Sequence, residues 1–115
     1  MIKLKRWGVD HLHSLDDDGV VIKTLIVLPN ECTSLQYHRK RFEFWHAVKP
    51  VKIIKKGKEI ILKSNACEVI PKECEHRIIG IDEPSIITEV CIGEFSEDDI
   101  VRLEDKYGRV NRSNS

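Results

Sequence analysis

Residues 34–46, SLQYHRKRFEFWH, place side chains that can bind a metal ion or transfer protons directly after an apolar, strand-like run. The segment holds an amide at Gln36, imidazoles at His38 and His46, and a carboxylate at Glu43. Imidazole, carboxylate and amide oxygen together suit a divalent ion such as Zn, Mn, Fe or Ni. A single buried histidine is more often a hydrogen-bonded core residue than a ligand, so this spacing by itself only suggests a metal site.

Strand alternation decides which of these side chains can meet inside a barrel. Side chains two positions apart share a face, and a break in the extended chain near Arg41 would turn the next strand toward the same space. A second imidazole would come from His76, at the start of a later strand. The predicted ligand set is therefore Gln36, His38, Glu43 and His76.

The elements that must position these residues are predicted to be strands. Apolar, β-branched runs separated by Pro, Gly and charged turns occupy 20–29, 51–63, 66–71, 76–81 and 85–93. Lys56-Gly57-Lys58 divides the second run into a hairpin, and the acidic run at 16–19 predicts another hairpin tip. Short strands at this spacing indicate an all-β sandwich or barrel.

Only the end of the chain has a helical pattern. Ser96 and Asp99 form a capping-box pattern in SEDD, and acidic residues suit the positive end of a helix. Apolar residues then recur on one face until Gly108, which can close a helix. We therefore expect a short C-terminal helix, a single domain over residues 1–110 and a disordered tail over residues 111–115.

Composition limits the classes of function. Lys plus Arg and Asp plus Glu both number 19, so the formal net charge is zero, and a nucleic-acid partner is not expected. The first residues lack the apolar core of a signal peptide, and no run approaches the length of a membrane span. A cytoplasmic protein with reduced thiols is expected, and the cysteines are interpreted as small buried residues rather than zinc ligands: Cys32, Cys67, Cys74 and Cys91.

The opening segment resembles the first motif of the cupins, and more closely that of the type II mannose-6-phosphate isomerase domain. That domain commonly ends bifunctional mannose-1-phosphate guanylyltransferases, with a pattern near SLQxHxHRxEHW. The matching residues are Ser34, Leu35, Gln36, His38, Arg41, Glu43 and Trp45. The segment from Pro71 to His76 resembles the second motif, PxGxxH, with Glu73 at the glycine position.

The two ends of the chain extend this resemblance. Arg6-Trp7-Gly8 is similar to the family's RPWG, and residues 93–109 are similar to its closing GEYxxEDDIVRxxDxYGR. The resemblance covers about residues 5–109 and implies a cupin fold, which is a double-stranded β-helix or jelly-roll barrel. Because the usual nucleotidyltransferase domain is absent from these residues, it also implies a stand-alone form.

The resemblance implies a metal-assisted aldose–ketose isomerisation that interconverts mannose 6-phosphate and fructose 6-phosphate. This chemistry needs a group that removes a proton beside the carbonyl, a charge that stabilises the enediolate oxygen, and cations for the phosphate. Arg41 and Arg109 are the candidate phosphate ligands, since guanidinium groups suit phosphate geometry. The base that transfers the proton stays open between Glu75 and, where it is not a metal ligand, Glu43. The predicted catalytic residues are Lys40, Arg41 and Glu43.

Two departures from the family pattern leave alternatives open. Lys40 stands at the second histidine of HxH, and Phe44 replaces the histidine before Trp45. Because an ammonium group repels a dication, Lys40 either swings away from a bound Zn, Mn, Fe, Co or Ni ion or replaces its charge. In the second case the Lys40 ammonium would stabilise the enediolate oxygen in place of the ion. A separate alternative is a metal-free cupin that only binds a sugar phosphate or sugar nucleotide, as an accessory or regulatory module. A third alternative is a sugar-nucleotide epimerase with His38 or His76 as the base.

The resemblance also bears on partners. Cupins commonly pair by sheet extension or exchange, so a homodimer is expected. A small sugar phosphate or sugar nucleotide is the expected ligand, and neither nucleic acid nor a membrane is an expected partner.

Overall fold

The structure is a computed structural model that describes residues 1–15, 19–94, 96 and 98–106. Its described residues form two antiparallel sheets and no helix. The strands are β1 Ile2–Lys5, β2 Gly8–Leu15, β3 Val20–Val27, β4 Leu35–Tyr37, β5 Arg41–Ala47, β6 Val51–Lys55, β7 Lys58–Leu62, β8 Cys67–Ile70, β9 His76–Ile79, β10 Ser85–Gly93 and β11 Val101–Glu104. The prediction of an all-β protein is confirmed.

The larger sheet has six strands in the order β1-β2-β3-β10-β5-β8. Its central strands alternate strictly, because β3 and most of β10 present every second side chain to the interior. On β5 the inward residues are Arg41, Glu43, Trp45 and Ala47, as the buried positions of that strand show. This register directs Glu43 and Trp45 toward the second sheet.

The smaller sheet has five strands in the order β11-β4-β9-β6-β7. Strands β6 and β7 form the hairpin predicted for residues 51–63, with Ile53 paired to Ile60. Its tip holds Lys56 and Gly57, both at positive φ (50° and 77°), as a two-residue type I′ turn requires. The other end of this sheet brings β4 beside β9, where Gln36 pairs with His76.

Apolar residues from both sheets meet in one core between them. Leu25, Trp45 and Ile87 come from the larger sheet, and Ile53 and Ile78 come from the smaller one. Each of these side chains is at least 94% buried. The core fills one part of the space between the sheets, and polar side chains line the rest of it.

The predicted C-terminal helix is wrong for the described residues. The capping-box residues do form a turn, in which the Asp99 N–H donates to the Ser96 carbonyl at 3.0 Å. The chain then continues as strand β11, where Val101 pairs with Tyr37 of β4. Pairing with the open edge of β4 satisfies backbone groups that a short helix would leave to solvent, so tertiary contact overrides the local helical pattern.

Other predictions fall outside the described residues. These are the acidic hairpin tip at 16–18, the helix stop at Gly108 and the tail over 111–115. The single-domain boundary at residue 110 stays a prediction. Within the part of the chain that is described, no helix has the length and apolar character needed to cross a membrane.

Candidate functional site

Three of the four predicted ligands meet between the sheets. His38 follows β4, Glu43 points inward from β5 and His76 begins β9, and each is at least 96% buried. The His38 Nε2 atom lies 3.4 Å from Glu43 Oε2, and His76 Nε2 lies 3.8 Å from Glu43 Oε1. Residues that are far apart in sequence therefore surround one carboxylate.

The other ring nitrogen of each histidine fixes its tautomer. Nδ1 lies 2.5 Å from the Asp99 carbonyl oxygen in His38 and 2.9 Å from the Cys74 carbonyl oxygen in His76. A carbonyl oxygen only accepts hydrogen bonds, so each Nδ1 carries the hydrogen and donates it. In the neutral rings, Nε2 then holds a lone pair that faces Glu43.

Burial keeps both rings neutral at physiological pH. It lowers the pKa of His38 to about 4, although the Glu43 carboxylate acts in the opposite direction. It also lowers the pKa of His76, again against the pull of Glu43. The site therefore presents two imidazole lone pairs at neutral pH.

Glu43 stays ionised in spite of its burial. Burial alone would raise its pKa, but at acidic pH the protonated rings of His76 and His38, together with the Arg41 guanidinium, outweigh this effect and lower the pKa to about 2. The Trp45 indole N–H donates to Glu43 Oε1 at 3.1 Å. Trp45 is fully buried, so its indole combines core packing with orientation of the carboxylate.

Arg41 places a cation among these groups. Its Nε donates to Glu43 Oε2 at 3.0 Å, and its Nη2 lies 3.0 Å from the same oxygen and 3.2 Å from His38 Nε2. The side chain is 93% buried. The guanidinium therefore balances the carboxylate and satisfies one imidazole lone pair at the same time.

The donor set fits a divalent ion. Two neutral imidazoles and one ionised carboxylate each offer a ligand atom, and these atoms lie within 4.8 Å of one another. Nδ1 hydrogen bonds of this kind are common partners of metal-binding histidines. Because Arg41 already bonds His38 Nε2 and Glu43 Oε2, an ion held by those atoms would compete with its guanidinium.

Gln36 lies beside this set but directs its oxygen away from it. The Ser34 hydroxyl donates to Gln36 Oε1 at 2.5 Å, while Gln36 Nε2 lies 3.5 Å from His38 Nε2. A hydroxyl can also accept, so a half-turn of the amide would present its oxygen to the site and keep the Ser34 contact. Metal binding by Gln36 requires that turn.

The structure places Lys40 outside the site. Its side chain is 57% exposed and its Nζ lies 3.5 Å from Glu94 Oε1. Strand β4 ends at Tyr37, so the alternation that was expected to align Lys40 with His38 stops before it. The predicted catalytic role of Lys40 does not agree with this position, and a histidine there would also point away from the site.

Asp99 holds the turn that directs Lys40 outward. Its carboxylate accepts the backbone N–H groups of Arg39 and Lys40, each at 3.0 Å. Its carbonyl also accepts from His38 Nδ1. The residue that the sequence assigned to a helix cap therefore positions a predicted ligand from 61 residues away.

Other candidates from the sequence fall away from the site. Glu75 is exposed and does not line the cavity, so it has no place in proton transfer there. Arg109 lies outside the described residues, and its predicted phosphate contact stays a prediction. Cys74 and Cys91 are buried, as expected, whereas Cys32 is only partly buried and Cys67 is exposed, so the interpretation as a small buried residue is wrong for Cys67.

Sequence reasoning missed a second carboxyl group, Glu89 on β10. It is 95% buried, and Cys91 Sγ lies 3.0 Å from its Oε1. Burial and the nearby Glu43 carboxylate raise its pKa to about 8, so Glu89 is protonated at neutral pH. The available signal was a single charged residue between the inward apolar positions Ile87 and Cys91.

A partly open cavity of about 90 Å³ gives access to this cluster. Four cationic residues line it, and three acidic residues accompany them: Lys5, Lys23, Arg41 and Arg102, with Asp10, Glu43 and Glu89. Lys23 Nζ lies 3.1 Å from Asp10 Oδ2, both largely buried. Basic side chains from β1, β3, β5 and β11 thus surround one small space, where an anionic ligand would be stabilised.

The fold that carries this cavity is that of a cupin. A capsular polysaccharide assembling protein, CapF of Staphylococcus aureus, superposes with a TM-score of 0.78 at 17% identity, covering 90% of this chain and 34% of CapF. The cupin domain of Schizosaccharomyces pombe Cnp3 superposes with a TM-score of 0.72 at 6% identity, covering 80% of this chain and 69% of that one. At such identities the likeness concerns the fold alone.

The sequence assigns the family within this fold. The family model described as mannose-6-phosphate isomerase C-terminal matches residues 3–105, and this chain belongs to that family. The alginate biosynthesis protein AlgA of Pseudomonas syringae pv. tomato is 37% identical over 109 residues, which cover 91% of this chain and 22% of AlgA. The xanthan biosynthesis protein XanB of Xanthomonas campestris pv. campestris is 37% identical over 92 residues, which cover 77% of this chain and 20% of XanB.

A third relative belongs to the same group. The mannose-1-phosphate guanylyltransferase ManC of Salmonella typhimurium is 35% identical over 92 residues, which cover 77% of this chain and 19% of ManC. The chain therefore spans about a fifth of the length of the curated relatives it matches.

Proposed function

We propose that this chain catalyses the isomerisation of a hexose phosphate between its aldose and ketose forms, as the family's name implies for mannose 6-phosphate. The observation that carries the proposal is the meeting of His38, Glu43 and His76 at a cavity that basic side chains surround. A sugar phosphate offers hydroxyl and carbonyl oxygens to the first group and a dianion to the second. A cytoplasmic location belongs to this proposal, because sugar phosphates are intracellular metabolites.

The basic residues of the cavity would bind the phosphate. Arg102 and Lys5 come from edge strands of the two sheets, and both line the cavity together with Lys23. Guanidinium and ammonium groups form charge-assisted hydrogen bonds to phosphate oxygens. Arg102 and Lys5 thus join Arg41 as candidate phosphate ligands. The sequence alone indicated Arg41 but neither of the other two.

The two buried carboxyl groups would handle protons. At neutral pH Glu89 is protonated and can donate a proton, while Glu43 is ionised and can accept one in the form of the site in which it is not a metal ligand. Isomerisation requires a proton to leave the carbon beside the carbonyl and another to reach the substrate. This pair takes the place of Glu75 in the assignment of proton-transfer groups.

His38, His76 and Glu43 would hold a divalent ion, with Gln36 as a fourth ligand after its amide turns. When bound, the ion would supply positive charge to the substrate oxygens. Arg41 would then release His38 Nε2 and Glu43 Oε2, and its guanidinium would be available to the phosphate.

An assay of mannose 6-phosphate conversion tests the proposal. Protein treated with a chelator should lose turnover and regain it with Mn, Zn, Co or Ni, and His76→Ala should abolish it, since one imidazole is lost. Arg102→Gln should raise KM by roughly tenfold through loss of one charge-assisted bond. Lys52→Gln, on the outer surface of the smaller sheet, is the matched control and should leave KM unchanged.

One observation favours a second function, the metal-free binding of a sugar phosphate. Arg41 already supplies a cation to Glu43 and His38, so the cluster is electrostatically balanced without an ion. In that case purified protein holds no metal by elemental analysis, shows no turnover and binds hexose phosphates by calorimetry. Turnover that depends on metal would exclude this function.

A further inference from the structure

Ionisable side chains from five adjacent strands of the larger sheet form a row along the cavity. From β5 to β1 the members of this row are Glu43, Glu89, Lys23, Asp10 and Lys5. Each residue lies directly opposite the next one or one diagonal step away from it. Neighbouring strands are about 4.8 Å apart, so the row extends about 19 Å across the sheet. The cavity therefore has a direction, from the buried histidines toward an edge of the sheet.

The smaller sheet lines the same cavity with a shorter row. His76 of β9 pairs with Gln36 of β4, and Gln36 pairs with Arg102 of β11. The two rows meet at their inner ends, where His76 Nε2 lies 3.8 Å from Glu43 Oε1. Each row ends with a cationic residue on an edge strand, Arg102 in one sheet and Lys5 in the other. About 10 Å, or two strand spacings, separate the backbones of His76 and Arg102.

An ion pair occupies the middle of the longer row. Lys23 Nζ lies 3.1 Å from Asp10 Oδ2, and the two side chains are only 5% and 13% exposed. Placing two charges inside a protein costs hydration free energy that their attraction restores only in part, so such a pair is weak evidence for stability. Because both residues line the cavity, contact with a ligand is the better explanation for their position.

This ion pair suits hydroxyl groups better than a second anion. The Asp10 carboxylate can accept hydrogen bonds from hydroxyl hydrogens, and the Lys23 ammonium can donate to hydroxyl oxygens. Because the two charges balance, the pair has no net charge with which to attract a phosphate. Adjacent hydroxyl groups of a sugar both donate and accept, so they can contact the two side chains together.

We propose that Lys23 and Asp10 bind the middle hydroxyl groups of an open-chain six-carbon sugar phosphate. The inference rests on the proposed function, in which the reacting carbons lie at the buried histidines and the phosphate lies at Lys5 and Arg102. An extended hexose phosphate is comparable in length to the distance of about 10 Å between the inner and outer ends of the shorter row. Isomerisation also requires the open chain, because the ring form has no free carbonyl group. The hydroxyl groups between the two ends then pass the ion pair.

Calorimetry with ligands that cannot react tests this assignment. Mannitol 1-phosphate is an open-chain six-carbon phosphate without a carbonyl group, and inorganic phosphate has no carbon chain. A chelator in the buffer removes any contribution from metal coordination. Wild-type protein should bind mannitol 1-phosphate at least about tenfold more tightly than inorganic phosphate, because only the first ligand contacts the ion pair.

The variant Asp10→Asn should change the binding of the two ligands differently. Loss of the carboxylate removes a charge-assisted hydrogen bond to the hydroxyl groups, so the preference for mannitol 1-phosphate should fall about tenfold. The same change removes a negative charge from the cavity, so inorganic phosphate should bind as tightly as before or more tightly. Glu59→Gln, in the Lys52–Glu59 pair on the outer surface of the smaller sheet, is the matched control and should change neither affinity.

A double variant keeps the test valid if Asp10→Asn does not fold. Lys23→Met combined with Asp10→Leu replaces the pair by apolar side chains of similar size, a change that buried ion pairs often tolerate. This variant should keep the circular dichroism signal of its strands and its binding of inorganic phosphate, and it should lose the preference for mannitol 1-phosphate.

The outcomes for the ion pair and for the proposed function are distinguishable. Wild-type protein that binds neither ligand, that shows no preference for mannitol 1-phosphate, or that keeps the preference in the folded variants would overturn the role of Lys23 and Asp10. Turnover of mannose 6-phosphate in that case would leave the proposed function intact. A preference that depends on the pair in a protein that has no turnover with any metal would support the pair and contradict the isomerase.

Discussion

Glu73 shows how a single residue departs from its family and still allows the fold. It stands at the glycine position of PxGxxH and adopts a φ of 62°, in the left-handed region that favours glycine. Its N–H donates to the His38 carbonyl at 2.7 Å, so this conformation connects the second motif to a predicted ligand of the first. The hydrogen bond holds a side-chain-bearing residue in a backbone conformation that costs about 1 kcal/mol.

Replacement of Glu73 by glycine is therefore expected to stabilise the protein. Relief of the left-handed strain exceeds the extra freedom of glycine in the unfolded chain, so Glu73→Gly should raise the free energy of unfolding by up to about 1 kcal/mol. Glu75→Gly is the matched control, because Glu75 is also exposed and is not at positive φ. It should lower the free energy of unfolding by about 0.5 kcal/mol. Urea denaturation measures both, and a decrease for Glu73→Gly would contradict the explanation.

At the scale of elements, the segment that replaces the expected helix holds the site together. Asp99 binds the turn between β4 and β5 through two backbone N–H groups and a histidine ring, just before β11 pairs with β4. The turn and the strand together fix the direction of His38 and the outward course of Lys40. The local sequence of the C-terminal segment does not contain this information, because its partners lie about 60 residues earlier.

Removal of the Asp99 carboxylate should loosen this turn. In Asp99→Ala the N–H groups of Arg39 and Lys40 lose their acceptor, so their hydrogen exchange should become at least tenfold faster and the free energy of unfolding should fall by about 1 kcal/mol. Asp98→Ala is the control, since Asp98 is the exposed neighbour of Asp99. Exchange rates that are equal in the two variants would show that the carboxylate does not hold the turn.

Most strands were predictable from the sequence. Which side chains point into the site was predictable only in part. Residues with β-branched side chains and the turn at Lys56-Gly57 determined most strands and the β6–β7 hairpin. Glu43 and His76 were assigned inward positions because alternation and the motif spacing agree. Lys40 was misplaced because alternation was extended beyond Tyr37, where the strand ends and a turn held by a distant residue begins.

Glu89 was missed for a different reason. A single acidic residue in an apolar strand is normally interpreted as pointing to solvent. This interpretation is correct when the interior of the sheet is apolar. In this molecule the inward side of β10 contributes Ile87 to the apolar core and Glu89 to the polar cavity, while its outward side is mostly apolar. Neither side can be recognised from the strand alone, because its burial depends on which residues the second sheet places opposite it.

At the scale of the whole molecule, the buried ionisable groups make stability depend on pH in two directions. The folded chain keeps His38 and His76 neutral, while the unfolded chain protonates them near pH 6.5, so stability falls as pH decreases below 6.5. The folded chain also keeps a proton on Glu89 up to a pKa of about 8, while the unfolded chain releases it near pH 4.5. Stability from this group is lost as pH rises from about 4.5 toward 8. Below pH 6.5 the opposite effect of the two histidines outweighs this loss, so the maximum should lie near pH 6.5.

The variant Glu89→Gln distinguishes the loss of stability above pH 6.5 from the loss of stability below it. One proton held only by the folded state changes the free energy of unfolding by about 1.4 kcal/mol per pH unit, so the wild-type protein should lose at most about 2 kcal/mol between pH 6.5 and 8. Glutamine cannot ionise, and the variant should therefore be flat over that interval while keeping the decline below pH 6.5. Glu75→Gln, at an exposed position, should retain both losses of stability. Thermal or urea unfolding across pH 5 to 8 measures this dependence of stability on pH. If the stability of the wild-type protein does not fall above pH 6.5, Glu89 is ionised in the folded protein. The cavity would then have no protonated carboxyl group.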